Sequence, residues 1–126
     1  MKCLGFFREF GGPDGPMVAL VRETAAGDEE RVVAYLRGGE VVLDVMELTP
    51  DVIDGSVLVE SASLLTDGVW YWREDLPHYV AKYHLSIDAN FLDEIASRDY
   101  ATQRLSEGHL EIAAREVIAD WSGEIG

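Results

Sequence analysis

Apolar residues recur at helical spacing in four stretches of the chain and at strand-like density in four others. Between Asp28 and Gly38, the side chains of Val32, Val33 and Leu36 share one face. Asp28 can accept hydrogen bonds from the first helical turn, Glu29 and Glu30 suit its positive end, and Arg37 suits the negative end. Gly38-Gly39 can take the left-handed backbone that stops a helix, so the spacing predicts a helix over 28–38. Residues 41–48, VVLDVMEL, and 56–65 are rich in β-branched or apolar residues and predict strands, with a loop from Pro50 to Gly55 between them. Asp67-Gly68 tolerates positive φ at both central positions of a turn, and joins SASLL to VWYW as an antiparallel hairpin. Alternation in these strands is imperfect, which predicts that at least one is covered on both faces. The aromatic-rich residues 2–10, closed by Gly11-Gly12-Pro13, predict a short strand. Residues 16–21 allow two readings. Pro16 suits a first helical turn with Met17, Leu20 and Val21 at i, i+3 and i+4, whereas MVALV also reads as a strand.

Beyond the hairpin the period is helical. Asp75 stands at an N-cap position and Pro77 in the first turn, and Leu76, Tyr79, Val80 and Tyr83 form a stripe that ends at Lys82 and His84. Ser86 or Asp88 starts a second helix with Phe91, Leu92 and Ile95 on its apolar face. No element is predicted for 99–107. Leu110, Ala113, Ala114, Val117, Ile118 and Trp121 keep helical spacing to give a C-terminal amphipathic helix, which can pack on its own domain or on a second copy. Trp70 and Trp72 are two apart on a strand and share a face. The simplest arrangement lays the Leu76 to Tyr83 stripe on that face as core, with Phe91 and Ile95 closing the cluster; a pocket lined by the same tryptophans is the alternative. The predicted fold is α+β, a small mainly antiparallel sheet with helices packed chiefly on one face, in a single domain over residues 1–126.

A chain of 126 residues removes roughly two thirds of its unfolded surface from water, enough for a core that needs no metal or disulfide. No apolar run is long enough to span a bilayer, and the first residues lack a signal-peptide pattern, so a cytoplasmic location is the default expectation. Cys3 is the only cysteine, and its apolar surroundings read as those of an inert, buried thiol. The formal charge is −14, from 24 acidic against 10 basic residues. Such a surface repels phosphate backbones, which argues against nucleic acid as a partner. It attracts a basic partner, or only keeps the protein soluble.

Tests for chemistry fail one after another. His78 and His84 are six residues apart and diverge on a helix, and His109 has no ligand at a diagnostic spacing, so no metal or other cofactor is implied. Gly11-Gly12-Pro13-Asp14-Gly15 lacks the spacing and lysine of a phosphate loop. No nucleophile elbow appears, and Ser61, Ser63, His78 and Asp75 make a triad only on paper, since geometry defines one. Carboxylate pairs such as Asp93-Glu94 read as solvated helix surface. These failures point away from an enzyme and toward a binding role. Candidate partner contacts are Asp28, Glu29, Glu30, Glu47, Asp51 and Asp54, which cluster at helix starts and turns.

The segment DGVWYWREDLPHYVAKY, with Asp67, Gly68, Trp70, Trp72, Leu76, Tyr79, Val80, Tyr83 and the later Phe91, resembles one recurring in small uncharacterised bacterial proteins. Some of those proteins are associated with polymorphic-toxin loci and regarded as immunity-like. Tyr35-Leu36-Arg37-Gly38-Gly39 resembles the helix end of the same group. The resemblance covers residues 28–95, departs from the pattern at Arg73, Pro77, His78 and Ile87-Asp88, and falls mostly on predicted core positions. It implies an α+β domain and favours a toxin-neutralising role; together with the charge and the absence of catalytic motifs, it leads to the expectation of a non-catalytic, cytoplasmic, immunity-like protein that binds and blocks a toxin or other basic partner through an acidic surface. The competing expectation is a small-molecule-binding or enzymatic domain with its pocket beside Trp70 and Trp72.

Overall fold

A computed structural model of the chain describes the backbone of residues 1–102 and 104–125, and side chains among these as far as residue 120. Trp121, placed by its spacing on the C-terminal apolar stripe, has its side chain outside the described residues. The centre is a hairpin of β5 (Leu64–Thr66) and β6 (Trp70–Arg73), flanked by β1 (Lys2–Leu4) parallel to β6 and by β2 (Glu40–Leu43) antiparallel to β5. The hairpin turn sits one residue later than predicted. Its loop residues are Gly68 and Val69, with Gly68 at φ +97°, while Asp67 pairs with Trp70 through its N–H and accepts both Val69 N (2.9 Å) and Trp70 N (2.8 Å) on its carboxylate. An aspartate in this place fixes the turn with its side chain and needs no positive φ itself.

The described part of the protein is an α+β fold with helices chiefly on one side of the mixed sheet. Trp70 and Trp72 point to the face covered by α1 (Glu29–Arg37), α2 (Leu76–Tyr83) and α3 (Ala89–Ser97), where Tyr35, Tyr79, Val80, Phe91 and Ile95 are buried with them. Phe91 meets Trp70, Trp72 and Tyr35 edge-on at ring distances of 5.5, 5.9 and 5.8 Å, an arrangement the ring quadrupoles favour. Tyr71, between the tryptophans, points the other way onto Phe6, Leu64 and Val117 of α4 (Glu107–Ile125). All of β5 and the Trp70 to Trp72 run are therefore buried, which is why their sequence does not alternate.

Helix ends depart from the sequence reading in informative ways. Gly38 has φ −87°, so α1 does not stop through a left-handed glycine. Space explains the pair instead: a Cβ on Gly39 would lie 2.7 Å from the Trp72 ring and 3.1 Å from Leu65 Cβ. The same indole donates its N–H to Leu36 O (3.0 Å), satisfying one of the carbonyls that a helix end leaves open. Neither Asp28 nor Asp75 caps with its side chain, because each carboxylate has a stronger partner elsewhere: Tyr100 OH for Asp28 (3.0 Å), and the Arg73 guanidinium, held at two points, for Asp75. Asp88 does cap, accepting from Asn90 N and Phe91 N. Residues Met17–Leu20 are neither α-helix nor strand but a 3-10 turn, held where Glu9 accepts Met17 N (2.7 Å) and Val18 N (3.2 Å). The predicted N-terminal strand shortens to β1, followed by a second 3-10 turn at Arg8–Phe10.

The largest correction concerns the two long strands. Residues 41–48 and 56–65 do run side by side, but both are interrupted, giving β2 and β5 in the main sheet and a separate two-stranded ribbon of β3 (Leu48–Pro50) and β4 (Leu58–Glu60). An unbroken hairpin with Glu40 opposite Thr66 would set Leu48 opposite Leu58; Leu48 instead stands opposite Glu60, a slip of two residues, of which one is already taken up inside the main sheet, where the register shifts between Val41 and Leu43 and sets Leu43 opposite Leu64. Ser63 sits at the break, its hydroxyl bonded to Val45 N (2.9 Å), Val45 O (3.1 Å) and the Asp44 carboxylate (3.2 Å) in place of a regular ladder.

Candidate partner-binding surface

The ribbon is tied to the helical layer through the loop that joins its strands. Asp51, at the start of that loop, is buried at 2% exposure. One carboxylate oxygen accepts Ile53 N (2.8 Å) and Asp54 N (3.0 Å), and the other meets His78 Nε2 (2.8 Å) and the Tyr83 hydroxyl (3.0 Å), with Lys82 Nζ at 3.7 Å. Burial raises the Asp51 carboxyl, but the bonds from Asp54 N, His78, Ile53 N and Tyr83 outweigh it and hold the group down at about 2. Val52 N donates to Tyr79 Oη (3.0 Å), and burial pushes that phenol up to about 12. His78 and Lys82 stand one helical turn apart, as do Tyr79 and Tyr83, so α2 offers the loop two adjacent rows of polar ends while its stripe stays in the core.

This pairing of histidine and aspartate does not extend to a nucleophile. Among the described residues no serine, threonine or cysteine is hydrogen-bonded to His78; Ser63 is committed to Asp44 and Val45, and Asp75 to Arg73. The Ser61 hydroxyl is buried without a hydrogen-bond partner. The serine, histidine and aspartate positions that could be drawn as a triad are thus occupied separately. No group of three or more His, Cys, Asp or Glu among the described residues is placed to hold a metal ion.

Outside the anchor, the ribbon presents an apolar face. Leu48, Pro50, Leu58 and Glu60 pair across the two strands, Leu48 with Glu60 and Pro50 with Leu58, and all four are exposed. Leu48 is 59% and Leu58 63% exposed, and the preceding Met46 reaches 98%. Seven of the twelve exposed large apolar side chains among the described residues lie between Val41 and Leu58, so the exposure is a patch and not scatter. Beside it runs a groove of about 560 Å³ lined by Asp44, Glu47, Glu60 and Glu74 together with Val45, Met46, Leu48 and Ser63. Among the described residues no basic group lies within ion-pairing distance of these four carboxylates.

Comparison of the chain with protein-family models, with curated proteins and with solved structures found no match.

Of the six acidic residues singled out by sequence, the structure brings few together. Asp51 is a correction: it lies in the interior as the loop anchor, because four hydrogen-bond donors converge on it, and it does not face a partner. Asp54 pairs with Lys82 (3.5 Å) and Ser56 (2.6 Å) beside it. Asp28 is bonded to Tyr100, and Glu29 accepts from His84 Nδ1 (2.9 Å), both on the α1 side. Glu30 is exposed on α1, and only Glu47 lines the groove. Sequence reasoning missed Asp44, Glu60 and Glu74, although acidic residues alternating with Val and Leu around a predicted hairpin are a signal that could have found them. Trp70 and Trp72 line neither this groove nor the three smaller depressions elsewhere; they are 5% and 0% exposed. No helix among the described residues is long and apolar enough to cross a membrane.

Proposed function

We propose that this protein is a non-catalytic interaction protein that binds a basic protein partner through the β3–β4 ribbon and its groove, and blocks that partner in the manner of an immunity protein. One observation carries the reading: an exposed apolar strand face lies against four carboxylates that no cation of the described chain neutralises. Apolar area supplies attraction once water leaves, and unpaired carboxylates supply selection for a cationic partner and a faster encounter. The formal charge of −14 extends the same attraction over the rest of the surface. The packed state of Trp70 and Trp72 gives the pocket alternative no comparable support.

The test uses the native lysate and a triple variant, Glu47→Lys with Glu60→Lys and Glu74→Lys. The wild type should retain a basic protein at low salt, release it as salt rises, and protect cells that express that protein. The variant should do neither while melting at the wild-type temperature. Equal retention by both chains, or recovery of nothing basic, overturns the reading.

A further inference from the structure

The ribbon has an unused backbone edge, and its position says what would fill it. In an antiparallel pair, residues alternate between those bonded to the partner strand and those whose N–H and C=O point away from it. The bonds Asp51 N to Val57 O and Ser61 N to Glu47 O flank the ribbon in its own register, so the bonded pairs are 51 with 57, 49 with 59 and 47 with 61. Leu48 and Pro50 therefore turn their backbone polar groups to the outer side of β3, and Leu58 and Glu60 to the outer side of β4. Among the described residues, neither strand pairs with any other. The two edges differ. Pro50 has no N–H, which blunts the β3 edge, whereas the β4 edge keeps both N–H and both C=O groups.

The β4 edge also has a strand end of the main sheet near it. In the main sheet β6 lies beside β5, and its last backbone bond on that side is Glu74 N to Ser63 O (2.8 Å), after which the chain turns into α2. Glu74, Ser63 and Glu60 all line the acidic groove, so the end of β6 comes close to the β4 edge.

We propose that the partner adds an extended segment to the outer edge of β4, as a third strand of the ribbon, with apolar and cationic side chains at successive positions of the face that meets Leu58 and Glu60. Backbone pairing goes to Leu58 and Glu60, apolar side chains cover Leu48 and Leu58, and cationic side chains reach Glu60, Glu74, Glu47 and Asp44. Charge selects this occupant over a second copy of the chain, since two molecules each carrying −14 would bring like carboxylates together. The inference rests on the function proposed above and adds the mode of recognition.

The probe is a synthetic nonapeptide of the repeat Arg-Arg-Val-Val, which alternates arginine and valine along each face of a strand, added to the full chain, with the repeat Glu-Glu-Val-Val as control. Amide exchange of Leu58 and Glu60, followed by NMR, should slow about tenfold with the basic peptide and stay unchanged with the acidic one. Leu58→Pro removes an N–H that makes no ladder bond, so the variant should fold; it should lose most of the peptide affinity, whereas Leu48→Pro on the other edge should keep it. If Leu58→Pro and wild type bind the peptide equally, while the carboxylate-to-lysine triple variant does not, strand addition is overturned and the surface reading stands. Failure of every chain to bind overturns both. Concentration-dependent dimers of wild type, abolished by Leu58→Pro, would show the edge taken by a second copy and overturn the proposed occupant.

Discussion

Replacing Asp51 by asparagine isolates the contribution of one charge to the placement of the ribbon. The amide oxygen can keep the bonds from Ile53 N and Asp54 N, but the –NH2 group faces His78 Nε2 and the Tyr83 hydroxyl, which now find a donor where they had a charged acceptor. Hydrogen bonds to a charged group contribute about 1.5–3 kcal/mol each, and the hydroxyl can turn to accept, so two bonds with one partly recovered give a loss of about 3 kcal/mol. For a domain of this length that lowers the melting temperature by about 10 °C. The dependence on pH supplies a sharper check. Asp51 in the folded chain titrates at about 2, below its ordinary 3.8, so its stabilisation is complete above 3.8 and is lost as pH falls through the folded value. The uncharged amide of the Asp51→Asn variant has no such contribution at any pH. Thermal melts of both chains by circular dichroism should therefore show a gap that is full near neutrality and narrows steadily below the ordinary aspartate range. A gap of less than about 2 °C at neutrality, or one that stays constant into acid, would refute the anchor.

Three further substitutions probe the rest. Gly39→Ala places a methyl within 2.7 Å of the Trp72 ring, so overpacking should cost about 1–3 kcal/mol in urea unfolding and alter tryptophan emission. Tyr35→Phe removes the hydroxyl that donates to Asp67 (2.6 Å) and accepts from Arg98 (3.0 Å), and should destabilise by about 1–3 kcal/mol in the same assay. Leu48→Ser with Leu58→Ser, both on the exposed ribbon face, should leave the urea midpoint within about 0.5 kcal/mol of wild type while reducing binding of an apolar dye and of the basic peptide.

What can be read in advance follows the reach of the interactions involved. The stripes of α1, α2 and α3 and the β5–β6 hairpin are legible, because helical period and turn chemistry act over a few residues. Strand spacing puts Trp70 and Trp72 on one face, and the structure buries them there. The end of α1 is misread from sequence, since the reason for Gly39 is the indole of Trp72, far along the chain. Asp28 and Asp75 sit where caps belong, yet distant or flanking partners claim their carboxylates. The ribbon is invisible as a separate unit, because the residues of 44–47 keep strand composition and only the slip in pairing reveals the break. For the surface, charge alone points to acidic residues in general. Nothing local distinguishes a carboxylate that four donors pull inward, as at Asp51, from one left facing water, as at Glu47.

The two-residue slip along the paired strands of the main sheet and the ribbon also bears on how this chain can change over generations. A regular hairpin transmits any insertion or deletion at its tip down the whole ladder, turning each side chain to the opposite face. Here the offset is absorbed in two steps, at the bulge between Val41 and Leu43 and around Ser63, before the row that carries Leu65 and Trp72 begins. Tips of other lengths and compositions can be grafted beyond that point without disturbing the aromatic cluster, so the outer ribbon is free to vary on a constant scaffold.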